Sequence, residues 1–148
     1  MKIIGLLLLL ATNIALAVPL TLDKYISDNP TWNSADKKSL SYITSRCGVL
    51  FSVISNNQKD KSDTQEMANT AFTDAKKFFS ISSDIYKTSC INYECIKIEK
   101  KASQAREKKW SAIYKEAAKH NIKIYGEMLH GDIKSDFLAC SSKVKPVI

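Results

Sequence analysis

The sequence predicts an all-α fold, a four-helix up-down bundle stapled by two disulfides and preceded by a short N-terminal arm. Three observations predict it. Apolar residues recur at helical spacing along the chain, and no run of strand alternation or Asn-Gly hairpin turn interrupts them. The stretches between periodic segments are short, which favours antiparallel neighbours. Four cysteines, an even number, follow a leader of the type that directs export.

The leader is Lys2 followed by an uncharged run with five consecutive leucines and then Ala15-Leu16-Ala17, a small-x-small cleavage pattern. Cleavage after Ala17 leaves no cysteine at the new terminus and therefore no lipid anchor. The chain then divides into a signal peptide (1–17), an arm (18–32), a helical bundle (33–141) and a C-terminal tail (142–148). This reading places the protein in the periplasm or outside the cell, with no stable transmembrane segment after processing. The arm carries two prolines and one apolar group, Leu20, Leu22, Tyr25 and Ile26, and is expected to lie over the bundle as an extended or short helical segment.

A first helix starts at Asn33 or Ser34, both good caps, and ends near Asn56-Asn57. Its stripe is Leu40, Ile43, Cys47, Leu50 and Ile54, at spacings of three and four. Ser62-Asp63-Thr64-Gln65 reads as a capping box for a second helix with Ala68, Ala71, Phe72, Ala75, Phe78, Phe79 and Ile85 on one face. A third helix runs from about Glu94 to His120, with Ile98, Ala102, Ala105, Ile113 and Ala117 inward, its alanines accepting Phe78 and Phe79. The last apolar segment, from Ile124 to Leu138, is helical in two pieces, because Gly126 and Gly131 weaken its middle.

Topology ranks the disulfides. If the first two helices turn near Lys59, Cys47 faces about residue 71, which leaves Cys90 some 28 Å away along the axis at 1.5 Å per residue. Bridged Cα atoms lie within about 7 Å. The pairs that remain are Cys90 with Cys95, a clamp on the turn between helices, and Cys47 with Cys140, which ties the first helix to the last. That long bridge would also bring Arg46 and Asp136 within reach of an ion pair.

Catalytic patterns are sparse. Cys90-Ile-Asn-Tyr-Glu-Cys95 lacks the Cys-x-x-Cys-His spacing of haem attachment, and no paired Cys-x-x-Cys units or spaced histidines suggest zinc. The cysteines are committed to bridges, no Gly-x-Ser-x-Gly turn occurs, and Asp132 and Asp136 stand only four residues apart on one helix. His120 and His130 read as helix-end or exposed residues. The expectation is a non-enzymatic protein with no metal and no cofactor.

The net charge of +7 is almost entirely local: nine bases against three acids lie between Lys97 and Lys123. Lys97, Lys101, Lys108, Lys115 and Lys119 fall along one helix face, a layout suited to an anionic partner. Twenty lysines against two arginines argue against a phosphate-reading nucleic-acid site, since arginine supplies the bidentate fork. The leading expectation is an exported helical interaction protein that binds a protein or an anionic envelope component. The alternative is a carrier of small apolar ligands with a site between helices lined by Phe72, Phe78, Phe79, Trp110, Tyr114 and Tyr125.

Overall fold

The computed structural model describes residues 20–148 apart from 35 and 61, so the signal peptide and its cleavage site lie outside the described residues. The fold is all-α. Among the described residues five helices follow in order: α1 (Leu22–Asp28), α2 (Lys37–Gln58), α3 (Gln65–Ser89), α4 (Tyr93–Tyr125) and α5 (Gly131–Ala139). Helices α2 to α5 supply the four expected from the sequence, and the arm contributes α1. Both disulfides form as ranked, Cys47 with Cys140 and Cys90 with Cys95.

Helix α2 begins later than Asn33 or Ser34. Those residues sit in a turn whose backbone closes on Thr31, and Asp36 takes the cap instead. Its carboxylate accepts the backbone N–H groups of Lys38 and Ser39 and the Ser39 hydroxyl. These bonds, the one to the Ser39 hydroxyl foremost, hold the Asp36 carboxyl below its ordinary range. Helix α3 is preceded by one 3-10 turn, Ser62–Thr64. Asn92 caps α4 by accepting the Cys95 N–H, and Gly126, with φ of 74°, ends it in the left-handed conformation that costs glycine least. Gly131 is also left-handed, so the expected break in the last segment falls between the two glycines.

Helices α2 and α3 pair antiparallel: Ser41 lies beside Ser82, Gly48 against Phe79, and Phe51 stacks on Phe78 at 5.6 Å between ring centres. The bulky Phe78 and Phe79 are thus received by α2, not by the alanines of α4 as the sequence suggested. Helix α4 meets α2 through its middle turns, where Trp110 and Tyr114 close over Arg46 and Glu107 approaches Ser45. From Ile43 to Ser55 every α2 residue except Ser52 is buried. A single apolar stripe was expected there. Enclosure on nearly all sides is what the other elements impose, and it forces Thr44, Ser45 and Arg46 inside with the leucines and valines.

The inward face of α4 also differs from expectation. Its buried residues are Ser103, Trp110, Tyr114, Ala118 and Asn121, whereas Ile98 is 59% exposed and Ala105 points to solvent. Phe72 of α3 likewise lies outside, half-exposed with the Lys76 ammonium over its ring. The two ends of the described chain close the molecule. Leu22, Ile26 and Trp32 enter the main core, and beyond α5 a π-helical turn (Cys140–Val144) buries Val144 while Lys145 pairs with Asp74 at 2.7 Å.

Candidate functional site

A polar knot lies where α1, α2, α4 and α5 converge. The Arg46 guanidinium donates to Asp136 Oδ2 at 2.5 Å, to the Tyr114 hydroxyl at 2.8 Å and to the Tyr42 hydroxyl at 3.2 Å, and it lies 3.5 Å from the centre of the Trp110 ring. Tyr114 in turn donates to Asp136 Oδ2, and Asp136 Oδ1 accepts the backbone N–H of Leu22. Burial pushes the Tyr114 phenol well above its ordinary value of 10.0, so it stays neutral and can donate. Burial alone would lower the Arg46 pKa, but the neighbouring Tyr114 and Asp136 outweigh it and leave the guanidinium more firmly protonated than usual. Arg46 is 2% exposed and Asp136 1%, so no substrate reaches either group. This knot holds the fold together. It also separates Asp136 from exposed Asp132, so the two carboxylates do not act across a cleft.

The five lysines singled out in the sequence, Lys97, Lys101, Lys108, Lys115 and Lys119, are all exposed. At 1.5 Å per residue they run for about 33 Å along α4, away from the Trp110 and Tyr114 side. Among the described residues only Lys97 of the five has a carboxylate within ion-pair distance, Glu94 at 3.8 Å.

The six aromatic residues expected to line a ligand site are not brought around one cavity. Phe78 is core, Trp110 and Tyr114 surround Arg46, Phe79 covers Gly48, Phe72 is exposed, and Tyr125 stacks on the His130 ring with centres 3.7 Å apart. His120 and His130 do border one cleft, of about 320 Å³, together with Glu116 and Asp132. Among the described residues no group of three or more His, Cys, Asp or Glu is placed to hold a metal ion.

A more spacious cleft, of about 730 Å³, lies elsewhere, where the arm and the start of α2 face the α3–α4 turn. Tyr25, Tyr42, Tyr86, Ile85, Ala102 and the Cys90–Cys95 bridge form much of its wall, with Lys37, Lys38, Arg106 and Glu99 also on its lining. Sequence reasoning missed it because its residues come from four elements and no local spacing unites them. The one sequence signal was the clamp between Cys90 and Cys95, which fixes the turn at one end of the cleft.

Among the described residues no helix is long and apolar enough to cross a membrane, and both disulfides are formed; these features are compatible with an exported protein. Compared with known proteins, the chain matches no family model, no curated protein and no solved structure.

Proposed function

We propose that this is an exported, non-enzymatic interaction protein of the periplasm or cell exterior that meets an anionic envelope component through the lysine side of α4. The observation that carries the reading is the exposed run of Lys97, Lys101, Lys108, Lys115 and Lys119, four of them without an ion-pair partner among the described residues. A rigid 33-residue helix presents these charges at fixed spacing, and the knot beneath, anchored on Trp110 and Tyr114, keeps that side turned outward. Lysine is depleted from the cores of protein interfaces and favoured at anionic surfaces, which argues for headgroups or polymer over a protein partner. The Arg46, Asp136 and Tyr114 cluster, where acid and base groups interact most strongly, is committed to structure, which supports a role in binding and not in catalysis.

Co-sedimentation with phosphatidylglycerol vesicles, with phosphatidylcholine vesicles as the neutral control, tests the reading. Binding is expected only to the anionic vesicles and should fall as ionic strength rises. Because a basic residue near such a surface contributes about 1 kcal/mol, reversing Lys101, Lys108 and Lys115 to Glu should weaken binding about a hundredfold or more. Undiminished binding by that triple variant would remove the lysine side from consideration.

A further inference from the structure

We infer that the 730 Å³ cleft at the α3–α4 turn is a binding site for a small amphipathic carboxylate, a molecule with an alkyl or aryl body and one anionic head. The site is separate from the outward lysine run and does not depend on it. Its size falls within the range of about 300–1,000 Å³ typical of small-molecule sites. Its wall supplies the two halves such a ligand needs. The rings of Tyr25, Tyr42 and Tyr86, with Ile85, Ala102 and the disulfide, give apolar surface. Lys37, Lys38 and Arg106 give three positive charges against the single carboxylate of Glu99, so the lining carries a net +2.

Arg106 gives the cleft its polarity. Its Nε is shut away from water and has no hydrogen-bond partner among the described residues. Buried donors in folded proteins are nearly always paired, because an unpaired one bears its full desolvation cost. No carboxylate lies within ion-pair distance of this guanidinium among the described residues, although Glu99 stands on the same helix and the same cleft. An anion entering the cleft would pair with the terminal nitrogens of the guanidinium, a planar fork that arginine offers and lysine does not. Each nearby hydroxyl is engaged once: Tyr42 accepts from Arg46, Tyr25 shares a hydrogen bond with Ser39, and Tyr86 accepts from Ser83. The three rings give the apolar surface that suits a hydrocarbon or aromatic body better than a polyanion.

Isothermal titration of the full, disulfide-bonded chain with decanoate tests this, using decanol and decyltrimethylammonium as chain-matched neutral and cationic probes. Decanoate should bind once per chain, decanol about tenfold more weakly or worse, and the cation not at all. Arg106→Met should weaken decanoate binding by about tenfold while leaving the melting temperature of the unliganded protein unchanged or higher, because the variant removes a buried donor that lacks a partner. A merely structural arginine would instead lower it, and that result overturns the proposal. Ala102→Phe, which fills the cleft and keeps Arg106, should abolish binding. The K101E/K108E/K115E protein should bind decanoate as the parent does, which separates this site from the lysine run. Equal binding of the three probes, or undiminished binding by Arg106→Met or Ala102→Phe, sinks it.

Discussion

At the scale of single residues, the energetics centre on Arg46. Moving a guanidinium and a carboxylate out of water is expensive, and the ion pair repays that only if the remaining donors and acceptors are also satisfied. Here Arg46 donates to three oxygens and Asp136 accepts from Arg46, Tyr114 and the Leu22 backbone. Removing one member strands the others. Arg46→Met should therefore destabilise the protein by about 3–5 kcal/mol, chiefly by leaving Asp136 buried and uncompensated. The double variant Arg46→Met with Asp136→Leu should cost clearly less than the two single losses combined, though not nothing, because the Leu22 N–H would still lack its acceptor. Urea denaturation of the four proteins in a double-mutant cycle measures this. Independent, additive losses would mean that the pair is geometric proximity without coupling.

At the scale of elements, α2 packs closely against α3 at Gly48. A methyl group built there would sit 2.9 Å from two ring atoms of Phe79. In an open helix Gly→Ala gains about 1 kcal/mol, but overpacking costs about 1–3 kcal/mol, so Gly48→Ala should lower stability. Thermal melts should show the penalty shrinking in a Phe79→Leu background; an equal penalty there would place its origin elsewhere. Such contacts mark the limit of what the sequence makes legible. Helix number, the break at the two glycines and both disulfides could be read from it, because periodicity, glycine conformation and cysteine reach are local or nearly so. The Arg46–Asp136 pair was legible too, as a consequence of the long bridge. The inward face of α4 was legible only in part: Ile113 and Ala117 pack against the core, whereas Ile98 and Ala105 are exposed. Ser103 bonds Glu107, Tyr114 bonds Arg46 and Asn121 bonds the Met128 and His130 carbonyls. The buried stripe of Trp110, Tyr114 and Ala118 is interrupted by the polar Ser103 and Asn121, and Ile98 and Ala105 drew the eye to the wrong side. The lysine run was legible as a run, whereas the cleft depends on four elements meeting and on one arginine left unpaired.

At the scale of the whole molecule, α1 and the C-terminal turns are fastened to the same central helix, and one seam carries the fastening. Cys47 follows Arg46 on α2, and Cys140 lies one turn beyond Asp136, so the long disulfide and the ion pair join α2 to α5 side by side. Leu22 brings α1 to that seam through Asp136, and Lys143 reaches back from the C-terminal turn to Asp23. The bridges differ in how much of the unfolded chain they restrain. On the chain-entropy account, linking residues 93 apart contributes about 4–5 kcal/mol, and linking residues 5 apart about 2 kcal/mol. A domain of this size is stable by about 5–15 kcal/mol in all. Replacing Cys47 and Cys140 by alanine should therefore bring the protein close to its unfolding threshold, while the same change at Cys90 and Cys95 should leave a folded chain with a modestly lower urea midpoint. Because the long bridge also positions Arg46 against Asp136, losing it should reduce the cost of a subsequent Arg46→Met, so the two changes combine to less than their separate effects. Equal losses from the two bridges, or strict additivity between the long bridge and Arg46→Met, would show that the seam does not act as one unit.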